Sequence, residues 1–246
     1  MKKTNFAFTF FFFSHLAVAY DAPKATTSPT IDGFDNDATW LNVNWAPIDT
    51  LILGDQPSEN DFQGRYKIVW TSQKLYVLAE ITDDILIDTH ADPLDSYWED
   101  DTLEIFIDED KSGGNHQKNY NAMAYHIGLD NQVADIDMSG EPRLFNSHVN
   151  SVWRRSSKSP NTITWEVSID VYPDTLRDHY SESQTAAQPV TLFSGKEMGF
   201  MIAYCDSDSS LGREHFINSI DIPAVKGDKN RGYIDASVFD TLKLVE

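Results

Sequence analysis

Cysteine is nearly absent from this chain of 246 residues, where Cys205 stands alone. One thiol cannot close an internal disulfide, so stability must come from the core and from any bound metal. Cys205 follows Tyr204 in an apolar run and reads as a buried, inert thiol. Basic residues are also scarce, with 19 Lys and Arg against 39 Asp and Glu, a net charge of -20. Such a chain repels nucleic acid and anionic lipid. Neutral sugars, cations and cationic partners remain open, as does a purely solubilising role for the acidic surface. No Cys or His set has zinc spacing. There is no G-x-S-x-G elbow and no phosphate loop. Paired carboxylates of the glycosidase kind carry no information when 39 acids supply pairs everywhere. The sequence shows no internal repeat, no long helical periodicity and, beyond its first residues, no apolar run long enough to span a bilayer.

What is present begins with a leader. Lys2 and Lys3 precede the apolar, phenylalanine-rich stretch from Phe6 to Val18, and Ala17-Val18-Ala19 is an A-x-A cleavage signal. Residues 1–19 therefore read as a signal peptide cut before Tyr20, which predicts a secreted or periplasmic protein. No Cys follows the apolar run, so no lipoprotein anchor is expected. Losing Lys2 and Lys3 takes the net charge from -20 to -22. Residues 20–246 are expected to form one domain.

That remainder is built from short alternating runs. Asp35 to Trp40 suits one short helical turn, and Leu51 to Gln63 reads as irregular and acidic. Tyr66, Ile68 and Trp70 alternate, Thr71 to Lys74 turns, and Leu75, Val77, Ala79 and Ile81 return, which predicts a hairpin. Met123 to Leu129 alternates again, Asp130-Asn131 turns, and Gln132 to Ile136 returns. Val149 to Arg155 suits an edge strand. Ile163, Trp165, Val167, Ile169 and Val171 alternate with Thr, Glu, Ser and Asp, predicting a strand with one wet face. Phe200, Ile202 and Tyr204 give another strand, and Val238 to Leu244 the last. This pattern predicts an all-β, antiparallel, jelly-roll-like sandwich.

The richest stretch runs from Tyr97 to Gly114. Leu103, Ile105 and Ile107 point one way, while Thr102, Glu104, Phe106 and Asp108 point the other. Trp98 leads in among polar neighbours, which suits either an exposed stacking plate or a rim residue packed on the sandwich edge. Asp108-x-Asp110-x-Ser112 followed by Gly113-Gly114 offers oxygen ligands at alternate positions, as calcium loops do, although the closing bidentate Glu of an EF-hand is missing. The bland alternative is a polar hairpin loop. Asp206-x-Asp208 is a second, shorter candidate.

Ile31-Asp32-Gly33 with Asp37-Ala38-x-Trp40, Lys74-Leu75-Tyr76-Val77-x-Ala79, Trp98-Glu99-x-Asp101-x-Leu103-Glu104-Ile105-Phe106-Ile107-Asp108, and a closing Phe239-x-x-Leu242-x-Leu244 occur in this order. In these landmarks the chain resembles the family 9 carbohydrate-binding modules. The resemblance implies a non-catalytic β-sandwich that binds saccharides or polysaccharide chain ends, commonly accompanies secreted glycoside hydrolases, and carries structural calcium. It implies that two aromatics clamp the sugar ring, with Trp98 the first and Tyr233 the second. Glu104 matches a sugar-binding carboxylate, and His126 falls where an arginine binds hydroxyls. Ala203 replaces a polar ligand. Other readings stay open. Glu104 also reads as an ordinary solvent-facing acid and His126 as a satisfied sheet histidine. A b-type haem, held by Met123 and His126 or by Met138 and His148, is an alternative ligand, and hydrolytic activity is another.

Overall fold

The computed structural model describes residues 20–159, 161–181 and 184–246, so the signal-peptide reading lies outside the described residues. In chain order the strands are β1 (Tyr20–Pro23), β2 (Ala46–Ile48), β3 (Thr50–Leu53), β4 (Phe62–Trp70), β5 (Leu75–Asp83), β6 (Thr102–Asp108) and β7 (Met123–Gly128). There follow β8 (Val133–Ile136), β9 (Pro142–Leu144), β10 (Val149–Arg155), β11 (Thr162–Ile169), β12 (Glu197–Asp206), β13 (His215–Asn218) and β14 (Asp240–Val245). Single 3-10 turns occupy Ala38–Trp40 and Ala236–Val238.

The strands form two sheets. The smaller has the order β10-β11-β5-β4-β2. The larger runs β1-β14-β12-β6-β7-β8-β9, with β13 paired to both β12 and β3. Strand β12 is shared along its length: Glu197 to Phe200 pairs with β14, and Ala203 to Asp206 pairs with β13. The expected sandwich is therefore present, but its pairing is not wholly antiparallel, since β1 runs parallel to β14 and Lys24 just after it bridges Trp70 in parallel. The 51–63 stretch is not wholly irregular, because Thr50–Leu53 pairs with β13. The last strand starts at Asp240, two residues later than its apolar pattern suggests, because Ala236–Val238 closes a 3-10 turn first.

Between the sheets lies the core. The smaller sheet contributes Ile68, Trp70, Val77, Ala79, Ile81, Ile163, Trp165, Val167 and Ile169, and the larger contributes Leu103, Ile105, Ile107, Tyr125, Ile127, Ile202 and Tyr204. These are the alternating residues of the sequence, and their burial is what sets the strand registers. Trp165 is fully buried and its indole N–H donates to Ser151 Oγ at 2.6 Å, so its polar atom is satisfied as well as its rings.

The opposite faces are only partly wet. On the larger sheet, Phe106, Ala124, Met201, Ala203 and Cys205 pack beneath Ile220, Ile222, Ala236 and Phe239. On the smaller, Val69, Tyr76 and Leu78 pack beneath Trp40 and Val43. Loops thus cover part of each outer face, and Glu166 and Ser168 on β11 are buried. Glu166 is held there by three donors. Its Oε2 accepts from the backbone N–H groups of Asp32 and Gly33, both at 3.0 Å, and its Oε1 from the Trp40 indole at 3.0 Å. Gly33 has φ +80°, and a Cβ there would press on the Arg154 side chain, so this tight turn requires glycine. The Ile31-Asp32-Gly33 and Trp40 landmarks are therefore two ends of one segment clasped by a single carboxylate.

Candidate functional site

The outer face of the larger sheet is only partly covered, and the gap is a cleft of about 450 Å³. Its floor is a cross-strand row. Ala203 on β12 pairs with Glu104 on β6, Glu104 with His126 on β7, and His126 with Ala134 on β8. Its walls come from loops: Tyr97 and Trp98 precede β6, Gln117 and Lys118 precede β7, Arg213 precedes β13, and Asn230 and Tyr233 precede β14. Trp98, Glu104, His126 and Tyr233, the four residues singled out in the sequence, all line this one cleft. Trp98 is 39% exposed and Tyr233 45%, whereas Glu104 and His126 are buried at the base. Glu104 is thus neither solvent-facing nor idle. Ala203 is buried under the floor, and Arg213 enters from the loop after β12. Sequence reasoning missed Arg213 and Asn230, since both sit in irregular loops where no periodicity marks a facing direction.

The floor is a charged network. His126 Nε2 is 3.1 Å from Glu104 Oε1, the Cys205 thiol donates to the same oxygen at 2.8 Å, and Arg213 Nη1 lies 3.9 Å away. Arg213 Nη1 also donates to Cys205 Sγ at 3.1 Å, and its guanidinium stacks on Phe216 with 4.6 Å to the ring centroid. Burial pushes Glu104 up and His126 down, but their mutual attraction reverses both, with Arg213 adding to it for Glu104 and Asp135 for His126. Glu104 consequently sits below the ordinary carboxylate range and His126 above the ordinary imidazole value. Beneath them, burial raises Asp135 to about 7, with its carboxylate accepting from the backbone N–H groups of Ala124 and Ile136.

The rim is positioned by short contacts. Tyr97 packs edge-on against both Trp98 and His126. Glu99 bridges two walls, accepting from the Trp98 indole at 2.8 Å and from the Arg213 backbone N–H at 2.9 Å. Gly232, beside Tyr233, approaches β12 so closely that a methyl there would overlap Met201 Cε. Its carbonyl accepts from His116 Nε2 at 2.7 Å.

Two places have donor sets suited to a hard cation. In the Asp108 loop, Asp108 Oδ2 accepts from Gly113 N–H at 2.7 Å and Asp110 Oδ1 from Ser112 N–H at 3.1 Å, while Ser112 Oγ donates to Asn121 at 3.1 Å. Those internal bonds leave Asp108 Oδ1 as a buried oxygen without a partner. The second place joins Asp83 at the end of β5, Asp101 before β6 and Asp206 at the end of β12, all buried, with one oxygen of each within 4.8 Å of the others. Asp83 Oδ1 and both Asp206 oxygens have no hydrogen-bond partner. Burial, reinforced by their neighbouring carboxylates, pushes Asp83 to about 7, Asp206 to about 8 and Asp101 to about 9. Three buried oxygens facing one another with free lone pairs suit calcium, which takes all-oxygen ligand sets.

The haem alternatives are not favoured by this arrangement. Met123 points into the inter-sheet core, whereas His126, three residues on, points to the opposite face of β7. His148 is hydrogen-bonded through Nδ1 to the Tyr125 hydroxyl at 2.8 Å and stacked on Tyr172 at 4.1 Å.

The family described as "Carbohydrate family 9 binding domain-like" matches residues 31–246. The chain belongs to this family. Similar curated proteins include endo-1,4-beta-xylanase A of Thermoanaerobacterium saccharolyticum, 30% identical over 124 residues, and endo-1,4-beta-xylanase C of Paenibacillus barcinonensis, 30% identical over 122 residues. Each match covers 49% of this chain and 10% of the xylanase, so the shared part is a small fraction of those proteins. Among solved structures, a family 9 carbohydrate-binding module from Caldicellulosiruptor kristjanssonii in complex with cellotriose superposes with a TM-score of 0.66 at 22% identity, covering 93% of this chain and 94% of that one. The same organism's module in complex with glucose gives 0.64 at 22% identity, covering 92% and 95%. The fold of this chain is thus that of a family 9 carbohydrate-binding β-sandwich, and no helix among the described residues is long and apolar enough to cross a membrane.

Proposed function

We propose that this family 9 domain binds a saccharide in the cleft without catalysing its hydrolysis. Trp98 and Tyr233 stack on the apolar faces of a sugar ring, and Glu104, His126, Arg213 and Asn230 bond its hydroxyl rim. The observation that carries this reading is the convergence of two exposed aromatics and a fixed, buried Glu104–His126–Arg213 network on one cleft. Aromatic plates cover C–H faces while charged groups bond hydroxyls, and a floor locked by its own hydrogen bonds loses little entropy on binding. The relatives crystallised with cellotriose and glucose support glucose-type saccharides as first ligands to try. The protein acts outside the cytoplasm, secreted or periplasmic, in polysaccharide recognition or catabolism alongside glycoside hydrolases. Calcium is a structural component, held by Asp83, Asp101 and Asp206, with the Asp108-Asp110-Ser112 loop as a further candidate.

A glycan array followed by calorimetry tests the reading. Trp98→Ala and Tyr233→Ala should each weaken binding about tenfold, since an aromatic stack contributes about 0.5–1.5 kcal/mol beyond its buried area. Melting should stay near the parent because both side chains are exposed. Binding that survives both substitutions removes the clamp. Reducing sugar released by a preparation free of other hydrolases makes the protein an enzyme.

A further inference from the structure

Next to the three buried aspartates stands a second group of ionisable side chains that the saccharide cleft does not use. Asp61 precedes β4, Asp208 and Glu214 lie in the loop after β12, and His215 opens β13. Ligand atoms of Asp61, Asp206 and His215 lie within 4.8 Å of one another, and so do those of Asp61, Asp208 and Glu214. Asp206 is 0% exposed with neither carboxylate oxygen partnered, and it belongs to both this group and the Asp83–Asp101 group. Asp61 Oδ1 and Asp208 Oδ1 are buried without partners too. His215 Nε2 lies 3.0 Å from Glu214 Oε1 and 3.6 Å from Asp61 Oδ2.

Charge decides what this group needs. Asp61, Asp83, Asp101, Asp206, Asp208 and Glu214 crowd one end of the sandwich, and among the described residues no Lys or Arg forms an ion pair with any of them. One calcium beside Asp83, Asp101 and Asp206 leaves Asp61, Asp208 and Glu214 facing only His215. Glu214 is exposed and Asp61 and Asp208 are partly buried, but Asp61 Oδ1 and Asp208 Oδ1 are buried oxygens without partners, and burying such an oxygen unpaired is costly. The donor sets also differ: Asp83–Asp101–Asp206 and Asp61–Asp208–Glu214 are all oxygen, while Asp61–Asp206–His215 includes an imidazole nitrogen, which favours a borderline first-row ion over calcium there.

The geometry points to a second divalent-cation site, formed by Asp61, Asp206 and His215 with Asp208 and Glu214 adjoining, that takes zinc or manganese and shares Asp206 with the calcium site. This inference does not depend on saccharide binding. It does bear on the cleft wall, because Arg213 sits between Asp208 and His215, and the bound ion would fix both ends of its loop.

The experiment is metal binding to the whole protein, stripped with chelator and reloaded with calcium alone. Zinc, then manganese, is titrated into the calcium-loaded protein, with elemental analysis of bound ions after desalting. The expected result is about one further equivalent of zinc or manganese with calcium retained. His215→Gln should lower zinc affinity about tenfold or more while leaving calcium content unchanged. In wild-type protein the His215 imidazole nitrogens should shift in 15N NMR on zinc addition, a reading that holds even if the variant fails to fold. No binding by either ion, zinc that replaces calcium one for one, or a His215 signal that does not move on zinc addition would each overturn the site.

Discussion

His126 turns Nε2 to Glu104 Oε1 at 3.1 Å and Nδ1 to the Ala124 carbonyl at 2.8 Å, so both ring nitrogens face acceptors. An imidazole satisfies two acceptors only when both nitrogens carry protons. The base of the cleft is therefore an ion pair, braced by Arg213 on the carboxylate side.

That pairing sets a pH window. His126 is raised above its ordinary 6.5, so its contribution is complete below that value and is lost as pH rises through the folded value. Glu104 is lowered below its ordinary 4.5, so its contribution is complete above that value and is lost as pH falls through the folded one. The stability gap between the parent and His126→Gln should be widest between pH 4.5 and 6.5 and should narrow on either side. Thermal melts of both proteins across about pH 3 to 9, which spans the ordinary carboxylate and imidazole values, read the gap directly.

Glu166→Ala should be among the most damaging changes outside the cleft. It leaves the N–H groups of Asp32 and Gly33 and the Trp40 indole without their acceptor. Each unsatisfied buried donor costs about 1–3 kcal/mol, so a loss of about 3 kcal/mol or more is expected in urea unfolding. A loss within error of zero would mean that the 31–45 segment is not clasped by this residue.

Trp165→Ala removes a fully buried indole from the middle of the smaller sheet. The expected cost is about 3–5 kcal/mol. Equilibrium unfolding measures it, and a mutant that melts with the parent would take Trp165 out of the core.

Chelation should lower the melting temperature. An ion that binds only the folded state stabilises it by about 2.7 kcal/mol at a hundredfold excess over its dissociation constant. For a domain of this size that corresponds to several degrees, on the order of 2–4 °C per kcal/mol. Asp101→Asn should blunt the calcium response if the buried aspartates hold the ion, and Asp110→Asn should do so if the Asp108 loop does.

The alternating strands were legible because burial imposes a period of two, and the inward residues of β5, β6, β7 and β11 follow it. The surroundings of the outward residues are not legible from alternation. Glu166 and Glu104 occupy positions that alternation assigns to water, yet loops from distant sequence cover them. A local period cannot report a cover supplied by residues more than 100 positions away, as Asp32 is from Glu166. Short strands escaped for a similar reason: β1, β9 and β13 have too few residues to show a period, and pairing alone defines them. Trp98, Glu104, His126 and Tyr233 were found through family landmarks, and the structure places them on one cleft. Arg213 and Asp61 carry no such mark, since nothing local distinguishes a loop Arg or Asp that folds inward from one that does not.

Gly232 gives the cleft one more property. With only a hydrogen at that position, the backbone beside Tyr233 settles onto the Met201 thioether, held by His116. The height of the tyrosine jaw is thus gauged by a residue that has no side chain to contact any ligand. Adding even one methyl group would lift the jaw and change its aperture, while leaving Trp98 and the charged floor as they are. The width of the cleft can therefore be tuned from below its surface.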